Sequence, residues 1–86
     1  MISRQDIKKV TDIYYEVDTF LGNHKENFFT KEEIYASLPT DENGVCLYTI
    51  GSLNSALSNM TKMRKVEMEY VRGTRYYGFM MERKEW

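Results

Sequence analysis

Between Val66 and Phe79 two short alternating runs meet at Arg72-Gly73, and one pairing of those runs keeps apolar and polar side chains apart. Suppose Arg72 and Gly73 are the central residues of a tight turn, with Gly73 taking the positive φ such turns demand. Val71 then stands opposite Thr74, Tyr70 opposite Arg75, Glu69 opposite Tyr76, Met68 opposite Tyr77, Glu67 opposite Gly78 and Val66 opposite Phe79. Side chains alternate faces along a strand. One face therefore collects Val66, Met68, Tyr77 and Phe79, with Tyr70 and Arg75 near the tip. The other collects Glu67, Glu69, Tyr76 and Val71. A three-residue loop would set Met68 against Gly78 and Glu67 against Phe79, mixing the faces, so the two-residue register is expected. Arg72 and Arg75 should then project beyond the core.

The segment feeding this hairpin reads as a helix over about 49–64 with Thr49 as N-cap. Ile50, Leu53, Ala56, Leu57, Met60 and Met63 recur at three-and-four spacing and predict one buried stripe. At about 100° per residue, Gly51, Ser52, Ser55, Ser58, Asn59 and Lys62 fall on the opposite face. That face has small hydrogen-bonding groups, no carboxylate, and a lysine at its end. Serine and asparagine are mediocre in helix interiors because they compete for backbone hydrogen bonds. Their small size suits close approach to a hydrogen-bonding surface such as a DNA major groove. A polar face that nothing touches is the plain alternative.

The preceding chain reads as scaffold. A first helix over about 3–21 begins with Ser3 as cap and Asp6 at the third position. Ile7, Val10, Tyr14, Val17 and Leu21 form its stripe, widened by Ile13 and Phe20, and Gly22-Asn23 closes it. Surplus apolar surface at Tyr14, Tyr15 or Phe20 leaves a dimer contact open beside core packing. His24 reads as a solvated loop residue. Phe28 and Phe29 are expected to plug the core, or to form a short strand beside the hairpin. Thr30 and Glu33 make a capping box for a second helix over about 30–38, with Ile34, Tyr35 and Leu38 inward and Pro39 ending it. Thr40 to Gly44 is a turn, Val45 to Tyr48 a brief extended segment, and Cys46 a small core residue. The tail from Met81 to Trp86 ends in a tryptophan that is either frayed or docked on an apolar patch, for instance one across a dimer.

Eighty-six residues fit one domain, 1–86, with a small core. The hydrophobic fraction of 42% and charged fraction of 29% belong to an ordinary globular chain. No apolar run approaches the roughly 18–20 residues of a membrane span, and the N-terminus carries no signal-peptide pattern. One cysteine excludes an internal disulfide and fits the cytoplasm. One histidine and one cysteine do not make a zinc site, so no metal or cofactor is expected. No pair of carboxylates in an apolar context and no nucleophile motif appears, which argues against an enzyme. The net charge of −1 hides an asymmetry. Residues 1–48 carry five basic against nine acidic groups, while residues 49–81 carry Lys62, Arg64, Lys65, Arg72 and Arg75 against Glu67 and Glu69 alone. Such a dipolar chain can present its positive end to phosphates.

The order helix, helix, helix, hairpin resembles the winged helix-turn-helix family of bacterial and phage regulators. Phe29-Thr30-Lys-Glu-Glu-Ile34, Thr49-Ile-Gly-Ser-Leu53 through Leu57, and Met63 to Tyr70 followed by Arg72-Gly-Thr-Arg-Tyr-Tyr77 carry the resemblance. It implies an α+β winged helix, three helices followed by a two-stranded β-hairpin wing. It also implies a small transcriptional regulator that binds double-stranded DNA, with the third helix in the major groove and the wing on the backbone. By position it implicates Ser52, Ser55, Asn59 and Lys62 on the helix, with Arg72 and Arg75 on the wing. Arg64 and Lys65 join these as expected phosphate contacts. A homodimer through the first helix or the tail would supply paired half-sites. The competing reading is a winged-helix protein-interaction module, such as a phage-type inhibitor or adaptor, that does not bind DNA.

Overall fold

The structure is a computed structural model that describes residues 4–81, with side chains described from Ile13 onward. The expected Ser3 cap and the tail at 82–86 lie outside the described residues, as do the side chains of Asp6, Ile7 and Val10. Among the described residues three helices precede a two-stranded antiparallel hairpin, an α+β arrangement: α1 (Arg4–Gly22), α2 (Lys31–Ser37), α3 (Ile50–Lys62), β1 (Val66–Val71) and β2 (Thr74–Phe79).

The hairpin pairs in the expected register at all six positions, Val66 with Phe79 through Val71 with Thr74. Arg72 and Gly73 both take positive φ, 52° and 80°, the conformation that matches a tight turn to the right-handed twist of its strands. Phe29 bridges β2 from the other side. Its N–H donates to the Tyr77 carbonyl at 2.8 Å, and the Tyr77 N–H donates back at 2.7 Å. The short strand expected near Phe29 is thus a single bridging residue.

The cap signals of α2 and α3 are realised, whereas Gly22-Asn23 ends α1 without the expected left-handed residue. There the Asn23 N–H still donates to the Thr19 carbonyl at 3.0 Å and the His24 N–H to the Leu21 carbonyl at 3.1 Å, so the backbone stays right-handed. The Thr30 N–H donates to Glu33 Oε1 at 2.8 Å and the Glu33 N–H to Thr30 Oγ1 at 3.2 Å, closing the capping box of α2. The Ser52 N–H donates to Thr49 Oγ1 at 3.0 Å at the start of α3. The end of α3 arrives two residues before the expected 64. The Lys65 N–H donates to the Met60 carbonyl at 2.9 Å and the Arg64 N–H to the Thr61 carbonyl at 3.2 Å, with Arg64 at φ 59°. That is the Schellman arrangement, in which a left-handed residue lets the chain turn back on its last carbonyls. It aims the chain straight into β1.

The core joins Ile13, Val17 and Leu21 of α1, Ile34 and Leu38 of α2 and its cap, and Leu53, Ala56, Leu57 and Met60 of α3 to Val66 and Tyr77 of the hairpin. Two members expected in the α3 stripe are outside it: Ile50 is 46% exposed and Met63 41% exposed. Both sit at ends of the helix, where the stripe runs past its neighbours. Phe28 is a second correction. Instead of plugging the core it lies over Gly78, where its ring atoms would come within 2.9 Å of a Cβ. Gly78 sits on the hairpin face that carries Glu67 and Glu69, so the missing side chain is what admits the ring. Phe29, Tyr35 and Cys46 pack against the core from partly buried positions, as expected.

Candidate nucleic-acid interface

α3 packs against α1, α2 and β1. Its buried residues occupy one side, and Gly51, Ser52, Asn54, Ser55, Ser58, Asn59 and Lys62 are all exposed on the other. The expected outer face is therefore outward. Its two edges differ in surroundings.

One edge faces the hairpin. Asn54, Ser58, Thr61 and Lys62 line a groove of about 280 Å³ whose other wall is Met68, Arg75 and Tyr77. A helical turn spaces Asn54, Ser58 and either Thr61 or Lys62, which puts them in a row along this edge. The hairpin wall follows from register. Met68 pairs with Tyr77 and Tyr70 with Arg75, so these four share the face turned to the helices. The groove continues toward the tip past Gly73 and Thr74 and the start of α2, where Lys31 and Glu32 contribute one charge of each sign. Glu67 and Glu69 pair with Gly78 and Tyr76 on the reverse face and do not line this groove.

Arg75 is held within its own face. Its Nε donates to the Tyr70 hydroxyl at 2.7 Å, and its guanidinium carbon stands 5.4 Å from the centre of the Tyr70 ring. The neighbouring phenols, Tyr70 first, push the guanidinium above its ordinary pKa.

The other edge of α3 faces α1. The Asn59 side-chain amide donates to the Tyr14 hydroxyl at 3.0 Å. Tyr14, Asn59, Lys62, Met63 and Lys65 line a second, more apolar depression there. The expected contact residues are thus not one cluster. Lys62 borders both depressions, Arg75 lines the first, and Asn59 and Lys65 line the second. Arg72 is exposed at the turn, and Arg64 is exposed just past the end of α3. Ser52 takes part in the cap, accepting from the Thr49 hydroxyl at 3.0 Å, while Ser55 is exposed on the face between the edges.

Sequence reasoning missed Asn54, Thr61, Tyr70 and Tyr77 as lining or supporting residues. Asn54 lies one turn before Ser58, so its place on the hairpin-facing edge was accessible from spacing once the direction of the hairpin was known. His24, expected to be solvated, is exposed but has its ring 4.9 Å from Phe20 and 5.7 Å from Phe29, completing a small aromatic group at the end of α1. Among the described residues, no helix is long and apolar enough to cross a membrane. No group of three or more histidines, cysteines or acidic residues among them could hold a metal ion. Comparison of the chain with protein-family models, curated proteins and solved structures finds no match.

Proposed function

We propose that the chain is a winged-helix DNA-binding module acting as a small transcriptional regulator in the cytoplasm. In this reading α3 lies in the major groove of double-stranded DNA and the hairpin, as the wing, flanks it along the backbone. The observation that carries it is the shared groove: Lys62 and Arg75 line it together with Asn54 and Ser58, while Glu67 and Glu69 are on the reverse face. Small amides and hydroxyls allow close approach to base edges, and the cations neutralise phosphates. Arg64 and Arg72 extend the positive surface at the two ends of β1. Asn59 gives one of its two amide N–H groups to Tyr14, which leaves the other N–H and the carbonyl for a base edge. The module binds DNA as a dimer in this reading, because a single small domain buries little surface on a duplex.

The test is a fluorescence titration with mixed-sequence duplex at two salt concentrations. Binding should weaken as salt rises, with a logarithmic slope of about −0.9 per phosphate neutralised. Arg72→Ala/Arg75→Ala should lower that slope by about two such contacts while the melting temperature stays near that of the parent. An absence of binding at low salt would instead favour the protein-interaction reading. The exposed Tyr14, Tyr15 and Met63 then offer the surface of interest, since tyrosine and methionine are enriched at interfaces.

A further inference from the structure

Arg75 differs from the other cations of this surface in being held by its own strand pair. Arg72 stands on the turn, and Arg64 follows the helix end. Arg75 lies opposite Tyr70 in the hairpin register, and the two side chains meet through the bond from Nε to the phenol oxygen at 2.7 Å. The ring lies near the guanidinium, 5.4 Å from centre to carbon, so the contact is made by both the oxygen and the π face. Tyr77, two residues along on the same face, lines the same groove. Tyr70 itself is 57% exposed, so the bond is not a means of burying the phenol.

A guanidinium has five N–H donors in a rigid plane. Once Nε is bonded to Tyr70, the end carrying Nη1 and Nη2 remains for an external acceptor, and that end suits two oxygens of one phosphate. A long side chain ordinarily loses rotamer freedom when it binds. Here the fold has already removed part of that freedom before any ligand arrives.

We infer that Tyr70 is a positioning residue of the DNA-contacting surface: it holds Arg75 in the groove between α3 and the hairpin so that the Nη edge meets a backbone phosphate. This rests on the DNA-binding reading and deepens it. Tyr70 makes no phosphate contact of its own. It acts through Arg75 and not through Arg72.

The test is a mutant cycle read by duplex titration over a range of salt concentrations, with the full chain. Tyr70→Phe keeps the ring and loses the acceptor, so binding should fall roughly three- to tenfold through the lost preorganisation. The salt slope should not change, because Arg75 is still charged and still neutralises its phosphate. Arg75→Ala should reduce the slope by about 0.9. The double variant Tyr70→Phe/Arg75→Ala should bind as Arg75→Ala alone does, whereas Tyr70→Phe should retain its full effect beside Arg72→Ala. A Tyr70→Phe protein that binds like the parent overturns the inference. So does full additivity with Arg75→Ala, and in both cases DNA binding itself stands. A parent protein that does not bind duplex at low salt removes the DNA-binding reading, and this inference with it.

Discussion

Arg64 and Gly78 are the two residues whose type matters most out of proportion to the contacts they make. Arg64 occupies the left-handed region at φ 59° to end α3, a conformation in which a Cβ crowds the following carbonyl. Arg64→Gly should therefore stabilise the fold by about 0.5–1 kcal/mol, read as a higher urea midpoint. The same substitution should lower the salt slope of duplex binding by about 0.9, because it removes an exposed cation. Stability and binding move in opposite directions, which a loss of folding would not produce. At Gly78 the constraint is space. An added Cβ meets Phe28 at 2.9 Å, so Gly78→Ala should cost about 1–2 kcal/mol by displacing the ring. In a Phe28→Ala background that clash is gone. There the strand gains about 0.5–1 kcal/mol from alanine over glycine, and the sign of the effect should reverse.

At the scale of elements, the helices are held more by how they end and join than by their length. α2 is only seven residues, and its capping box and one link to the chain beyond it add to the burial of Ile34. The Tyr35 hydroxyl donates to the Tyr48 carbonyl at 2.7 Å, tying α2 to the segment that delivers Thr49 to the start of α3. Partial burial, and then the neighbouring Cys46 thiol, raise the pKa of this phenol above its ordinary value of 10.0. A group whose pKa is raised on folding keeps its proton longer in the folded state. The stability it contributes is complete below the ordinary value and lost as pH rises through the raised one. Thermal melts from pH 8 to 11 should show a constant gap between the parent and Tyr35→Phe below about pH 10, narrowing above it. A gap that widened with pH would contradict the assignment.

Across the whole molecule, the acidic first half builds most of the support, while the basic second half supplies the surface with Lys62 and Arg75. Most of the fold was legible without coordinates because its signals are short in range. A capping box spans four residues, as Thr30 to Glu33 does, and a two-residue turn dictates the pairing of everything on either side of it. Alternation along the strands and the three-and-four spacing of Leu53, Ala56, Leu57 and Met60 each name a buried side without reference to a partner. Where those patterns reach the ends of α3, they lose their authority: Ile50 and Met63 continue the stripe but stay 46% and 41% exposed. The site was legible only as two separate features, an outward polar helix face and an arginine-bearing tip. Which edge of α3 meets Arg75, which edge gives Asn59 to Tyr14, and why Phe28 crosses to Gly78 depend on residues distant in the chain. Local periodicity determined the elements and the hairpin register. Only the packing of α3 against α1, α2 and β1 decided which edge of its outer face meets the hairpin and which meets α1, since those neighbours come from residues far from α3 in the chain.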